Sequence, residues 1–241
     1  MGAPILIGTS GWHYPHWRGV FYPESLLASE WLGFYGRHFD TVEVNYSYYH
    51  LPTLKAVHDW TVATPPGFSF AVKASRYITH MKKLKDPGTS IAALLPVVEG
   101  FSGKRGPVLF QLPPRWGADP QRLEAFLDAW PAAIPCAFEF RDPDWHCEAV
   151  YAVLRRHHAA FCVFDLGGFR SPFRVTADFV YLRLHGPVAS YGGRYGTEAL
   201  REWAVRLKDR EGAKTVYVYF NNDQAGAAVV DALELKDILG E

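Results

Sequence analysis

Seven ionisable side chains recur in short β-rich runs: Glu43 in TVEVN, Lys73 in FAVKAS, Glu139 and Arg141 in FEFRD, Asp165 in FCVFD, and Arg183 and His185 in YLRLHG. Gln111 closes PVLFQ, and Asn221 and Asn222 close VYVYFNN. Residues two apart on a strand share a face, so Glu139 with Arg141, and Arg183 with His185, point the same way. Carboxylates and an imidazole in one place exchange protons as general acid and base. Guanidinium groups grip carboxylate or phosphate. A lysine among them is an electrostatic stabiliser or, with a lowered pKa, a Schiff-base nucleophile. Glu43, Lys73, Glu139, Asp165 and His185 are therefore the candidate catalytic residues. Paired carboxylates also allow glycoside hydrolysis, whose outcome turns on a carboxyl separation.

The segments after these runs add binding groups. SGWHYPHW offers Trp12 and His13, the end of TVEVN offers Asn45, and ASRYITH offers His80. Together with Gln111, Arg141, Arg183, Asn221 and Asn222 they form the candidate binding set. HGPVASYGGRYGT completes it with Arg194 and Tyr195, ahead of a helix expected from Thr197. A glycine-rich loop before a helix N-terminus is a phosphate cradle in many barrels, and an ordinary turn in many others. Asp223 reads equally as a site residue or a helix N-cap.

The elements that must position these groups are eight β-rich runs: 5–9, 41–45, 68–73, 107–111, 136–140, 160–165, 179–185 and 215–221. Amphipathic helical stretches separate most of them. One begins near Ser25 and carries Leu27, Trp31, Phe34 and His38; another carries Leu54, Val57 and Trp60 before Pro65. A third starts at Ser90, with a kink or broken start expected at Pro96. Asp119 and Pro120 mark the start of a fourth, and Pro131 its end. A fifth follows Trp145, and further stretches start at Thr197 and near Gln224. Strict strand–helix alternation implies parallel strands with helical crossovers, and eight units in this length favour a TIM (β/α)8-type barrel in one domain, residues 1–241. The link LGGFRSPFRVTAD between strands six and seven is short for a helix, so that helix is expected to be reduced or missing.

In such a barrel the strand face packed on helices is apolar and the polar face points inward. Three carboxylates, Glu43, Glu139 and Asp165, then meet three cations, Lys73, Arg141 and Arg183, although Asp165 aligns along its run with Phe161 and Val163. The bland alternative is a salt-bridge network that merely fills the barrel. Apolar side chains would fill it at lower cost, which favours a site.

Whole-chain properties limit the functions. The chain has 241 residues, with 49% hydrophobic and 21% charged, which excludes a disordered or disulfide-scaffold protein. Lys plus Arg and Asp plus Glu both number 25, so bulk attraction to nucleic acid or anionic membrane is not expected, though a local patch survives this test. Three sparse cysteines, Cys136, Cys147 and Cys162, and a start without a secretory pattern point to the cytoplasm. Gly2 follows Met1, but Leu6 makes a poor myristoylation signal. No run approaches the ~20 apolar residues of a membrane helix. Zinc, phosphate-loop, dinucleotide and hydrolase-elbow motifs are absent. No cofactor is expected. A divalent metal is the minority reading, since Lys73, Arg141 and Arg183 would repel it from Glu43, Glu139, Asp165, His13, His80 and His185. Oligomeric state is left open.

The motifs GTSGW, TVEVNYSYYHLP, FAVKASRYITH, PVLFQLPP, FEFRDPDW, YLRLHG, GGRYGTEAL and VYVYFNND, in this order over nearly the whole chain, resemble the YecE-like family, domain of unknown function 72. The resemblance implies a TIM barrel and carries no reaction with it. The family is also distantly similar in shape to endonuclease-IV-like barrels, whose histidine-rich metal set is not evident here. The leading functional expectation is a metal-independent enzyme acting on a polar anionic small molecule at the C-terminal mouth of the barrel, with Arg141, Arg183 and Arg194 as the anion clamp. The alternatives are a nucleic-acid-binding or processing barrel, with Trp12, Trp17, Tyr48 and Tyr77 stacking bases, and a non-catalytic ligand-binding barrel.

Overall fold

The computed structural model describes residues 4–188, 190–208, 210 and 212–240. Met1 and Gly2, on which the export and acylation readings rest, lie outside the described residues, as does Ala189 of the loop HGPVASYGGRYGT. The strands are β1 (Ile5–Thr9), β2 (Thr41–Val44), β3 (Ser69–Lys73), β4 (Arg105–Leu112), β5 (Cys136–Phe140), β6 (Ala160–Leu166), β7 (Phe169–Arg170), β8 (Phe179–Leu184) and β9 (Thr215–Phe220). All except β7 run parallel, in the order β1-β9-β8-β6-β5-β4-β3-β2. They form the nearly closed eight-stranded barrel that the alternation predicts. The helices are α1 (Trp31–Tyr35), α2 (Leu54–Ala63), α3 (Pro87–Gly100), α4 (Pro120–Ala129), α5 (Glu148–Arg156), α6 (Gly196–Lys208) and α7 (Ala227–Leu239).

Local signals place most boundaries. Thr53 Oγ1 accepts from the Ala56 amide at the start of α2. Asp119 accepts from the Arg122 amide at the start of α4, with Pro120 in the first turn, as its sequence predicts. Three expectations are corrected. α1 is only five residues long, because Ala28–Glu30 form a 3-10 turn rather than the start of a helix at Ser25. α3 begins at Pro87 and runs through Pro96 to Gly100. Asp223 makes no cap; it accepts from the Trp17 indole at 2.7 Å and from His16 at 2.9 Å, tying the end of β9 to the loop after β1.

The predicted loss of a helix between the sixth and seventh parallel strands is observed. In its place β7 folds back antiparallel on β6. Thr176 and Ser171 bond the backbone of Phe161 and Phe164, so this connection clings to β6.

The barrel closes between β1 and β2 by an unusual seam. Apart from one bridge at Ser10 and Glu43, no ladder joins these strands among the described residues. The Tyr35 hydroxyl stands between them. It accepts from the Thr9 amide at 2.9 Å and donates to the Thr41 carbonyl at 3.1 Å. Gly8 permits the approach, since a Cβ there would lie 2.1 Å from the Thr41 oxygen and 2.9 Å from the Tyr35 hydroxyl. Tyr35→Phe leaves a buried amide and carbonyl without their bridge and is expected to cost about 1–3 kcal/mol. Denaturant unfolding measures this, and an unchanged midpoint would show that the hydroxyl does not hold the seam.

The interior is layered. Ala71, Leu109, Ala137, Cys162, Tyr181 and Tyr219 form an apolar plug, and the Tyr219 and Thr41 hydroxyls bond at 2.7 Å. The outward strand faces pack on the helices around Trp31, Trp145 and Trp203. Charged groups stand above the plug, toward the C-terminal ends of the strands.

Candidate functional site

Arg183 is the centre of the cluster. It is fully buried on β8, two residues beyond Tyr181. Its Nη2 donates to Glu43 Oε1 at 2.8 Å and its Nη1 to Glu139 Oε2 at 2.7 Å, so one guanidinium joins β2 and β5 across the barrel. Glu43 also accepts from Ser10 Oγ at 2.8 Å and from the Tyr181 hydroxyl at 2.7 Å. Arg141, two residues beyond Glu139, donates from Nε to the other Glu139 oxygen. Burial would raise the Glu139 carboxyl; the Arg141 and Arg183 guanidiniums, with His185, outweigh it and hold the group well below the usual carboxylate range.

His185 is also fully buried. Burial pushes its imidazole down to about 3, against the pull of Glu139, so the ring is neutral. Arg141 Nη2 lies 3.0 Å from Nε2, and a guanidinium can only donate. Nε2 therefore accepts and the ring proton sits on Nδ1. Asn221 Nδ2 lies 3.0 Å from Nδ1, so a proton on Nδ1 requires the Asn221 amide to be turned with its oxygen accepting there.

Lys73 differs from the other cations of the mouth. It ends β3, remains partly exposed, and forms no ion pair among the described residues. Its Nζ lies 4.4 Å from the centre of the Tyr48 ring. Burial, reinforced by Arg183, pushes its ammonium down to about 8 against the attraction of Glu43 and Glu139. Beyond it the Tyr48 hydroxyl is 3.2 Å from His80 Nε2, and Thr79 Oγ1 is 2.9 Å from His80 Nδ1. Burial, then Lys73 and Arg76, lower the His80 pKa.

The structure thus gathers Glu43, Lys73, Glu139, Arg141, Arg183, His185 and Asn221, with His80 reaching in through Tyr48. Gln111 stands in register with Glu139 on the neighbouring strand. Asp165 is not in this group. It faces outward, accepts from Arg170 Nε at 3.2 Å, and lies near Trp203 and Arg206. Phe164 turns inward instead, under the Arg141 guanidinium at 5.2 Å. Arg194 is also elsewhere: it pairs with Asp231 and, at 2.7 Å, with Glu234 on α7. The Tyr195 amide bonds Asp231, and its hydroxyl accepts from the Gly186 amide. Asn222 donates to Asp231 and to the Gly193 carbonyl. These three residues fasten the loop to α7, so the proposed phosphate cradle is occupied by the protein's own carboxylates.

Trp12, His13 and Asn45 line a separate cleft of about 820 Å³ with Tyr46, Tyr49 and Trp60. It lies beside the charged cluster, whose buried ions do not line it. Asn45 donates to the Ser10 carbonyl at 3.3 Å, while its Oδ1 is buried without a protein partner.

Three members of the site lie outside the candidate catalytic and binding sets, Tyr48 entering only as a base-stacking ring. The strand period already sets Tyr181 on the inward face with Arg183, and Ser10 follows the first strand; what the sequence does not show is that both hydroxyls donate to Glu43. Tyr48 sits in the 3-10 turn Tyr46–Tyr48, where no such period operates. Among the described residues no three His, Cys, Asp or Glu side chains gather in metal-binding geometry, and none of the helices is long and apolar enough to cross a membrane.

Comparisons with known proteins agree on one family. A family model described as "Protein of unknown function DUF72" matches residues 6–241. UPF0759 protein YunF of Bacillus subtilis (strain 168) is 27% identical over 273 residues, covering 98% of this chain and 94% of that protein. UPF0759 protein YecE of Escherichia coli (strain K12) is 30% identical over 144 residues, covering 58% and 50% of the two chains. The crystal structure of a DUF72 family protein from Thermotoga maritima superposes with a TM-score of 0.86 at 31% identity, covering 99% of this chain and 100% of that one. A DUF72 family protein from Enterococcus faecalis, with TM-score 0.84 and 22% identity over 98% of this chain and 96% of that one, shares the fold.

Proposed function

The chain belongs to the DUF72 family, and we propose that its barrel mouth binds and transforms a small polar anion without a resident metal. The observation that carries this reading is a charge imbalance. Arg183 and Arg141 are paired with Glu43 and Glu139, and Lys73 remains as a cation without a carboxylate. Two carboxylates face three cations, and the neutral His185 adds no charge. An anion entering beside Lys73 would balance the mouth. Arg141 is the second contact: its Nε and Nη2 are engaged, while Nη1 has no protein partner among the described residues. Fully buried Arg183 is a support for Glu43 and Glu139 rather than part of the clamp. Glu139 and His185 are held too far from neutral titration to exchange protons and instead hold Arg141 in place, while His80, bonded to Tyr48 beside Lys73, is the proton-handling group.

Calorimetric titration at low salt with phosphate, pyrophosphate and short hydroxy acids tests the reading. Wild-type protein is expected to bind members of this set, and Arg141→Gln to weaken them by about 10- to 100-fold, the worth of a hydrogen bond to a charged group. Chelator treatment is expected to leave binding and turnover unchanged. Failure of every anion to bind, or equal binding by Arg141→Gln, would overturn the site. Turnover that is lost on chelation and restored by one divalent metal would overturn its metal-free chemistry. A ligand recovered unaltered after long incubation would leave a receptor rather than an enzyme.

A further inference from the structure

We propose that the substrate carries a carbonyl group next to its anionic group, and that Lys73 attacks this carbon to form a Schiff base. The inference rests on the anion-binding reading of the mouth and adds a covalent step to it. Its basis is the placement of one amine. Lys73 stands at the C-terminal end of β3, where a barrel offers side chains to a ligand. Its ammonium is held by the Tyr48 ring face, while Glu43 and Glu139 are already satisfied by hydrogen-bonded guanidiniums, Ser10 and Tyr181. Apart from the Tyr48 ring, the Lys73 nitrogen has no hydrogen-bond or ion-pair partner among the described residues. Burial and Arg183 favour the neutral amine, which is the nucleophilic form. Arg141 opposes the Lys73 charge as well, and Tyr48, with His80 and Arg76 beyond it, stands on the other side.

The step balances without a redox partner. The Nζ lone pair forms a C–N bond as the carbonyl π electrons move to oxygen, which takes up a proton. Nζ loses a proton, for which the neutral imidazole of His80, hydrogen-bonded to Tyr48, is a nearby acceptor. The carbinolamine hydroxyl then takes a proton and leaves as water, giving the iminium. The Arg141 guanidinium, at the rim of the same cluster, holds the anionic group. The iminium draws electrons from the neighbouring carbon, which is the chemistry a lysine Schiff base supplies.

Trapping with glyoxylate, a carbonyl-bearing carboxylate, and cyanoborohydride tests the step. Hydride reduction of the iminium leaves one carboxymethyl group on the lysine, which peptide mass mapping locates. Lys73 is expected to be labelled at least about tenfold faster than exposed Lys55, with half-maximal rate near pH 8. Glycolate, which has the carboxylate but no carbonyl, should protect it. Arg141→Gln should slow labelling by glyoxylate more than labelling by uncharged glycolaldehyde. Labelling of Lys73 no faster than Lys55 overturns the covalent step. If calorimetry on the same protein still shows glycolate bound, and Arg141→Gln removes it, the anion site stands and the Schiff base alone falls. If neither is seen, both fall.

Discussion

Arg183→Met is expected to remove about 3–5 kcal/mol of folding stability, the usual cost of leaving a buried charge without its partner. The side chain is fully buried and is the only contact that spans Glu43 on β2 and Glu139 on β5 among the described residues. Its loss strands Glu43 with only the neutral donors Ser10 and Tyr181. Glu139 keeps Arg141. For a chain of this size the change corresponds to a fall of roughly 6–20 °C in melting temperature. A companion variant separates charge from volume. Adding Glu43→Gln to Arg183→Met removes the stranded charge and should recover part of the loss, because the amide oxygen can still accept from one of the Ser10 and Tyr181 hydroxyls while its NH2 donates to the other. If the single variant melts with the wild type, the central guanidinium is not what holds the two sides together. If the double variant is less stable than the single one, the loss comes from packing rather than from the stranded carboxylate.

The second large effect is acid sensitivity. His185 has a folded-state pKa near 3, below its unfolded value of about 6.5, because burial opposes its charge. Between these values the unfolded chain binds a proton that the folded chain refuses. Unfolding free energy therefore rises with pH in this window, and stability is lost as pH falls from about 6.5 toward 3. The slope is up to about 1.4 kcal/mol per pH unit. Glu139 acts in the same direction lower down: its folded pKa is depressed, so its contribution is present above the unfolded carboxylate value of about 4.3 and fades below it. Urea unfolding between pH 7 and 4 measures the sum. His185→Gln should flatten the upper part of the curve, from pH 6.5 to 5, and leave the carboxylate part. A curve of equal slope in the variant would show that the imidazole is not held neutral in the fold.

The strands were the most legible part of the chain because a barrel strand is read by a simple period. The eight β-rich runs coincide with the eight parallel strands to within two residues, and Glu139, Arg141, Arg183 and Asn221 lie inward as that period requires. Asp165 shows where reading by residue type misleads. Its alternation with Phe161 and Val163 already places it on the outer face; grouping it with the inward charges followed its chemistry and ignored its register. The hairpin partner Arg170, contributed by the two-residue β7, explains how a carboxylate is tolerated there, and two residues carry no period to read. Arg194 shows a different limit. A glycine-rich loop with an arginine fits an anion or a neighbouring carboxylate equally well, and only the packing of α7 brings Asp231 and Glu234 to it. Lys73 was legible by position, but its lack of a carboxylate partner is a fact of the folded arrangement.

The Tyr35 seam has a consequence for synthesis. β1 is made first, yet its ladder runs to β9, which begins at Thr215. About two hundred residues separate the two, so β1 waits roughly 10–40 s for its partner at ordinary translation rates. Tyr35 lies only 26 residues from Thr9 and emerges soon after it. Its hydroxyl can engage the Thr9 amide and the Thr41 carbonyl while most of the cylinder is still unmade. The side chain that completes the ring in the finished protein is thus placed to hold the apolar first strand beside the second during the wait. Slowing or halting the ribosome before Thr215 should leave nascent chains whose exposed β1 edge recruits chaperones more strongly in Tyr35→Phe than in the wild type.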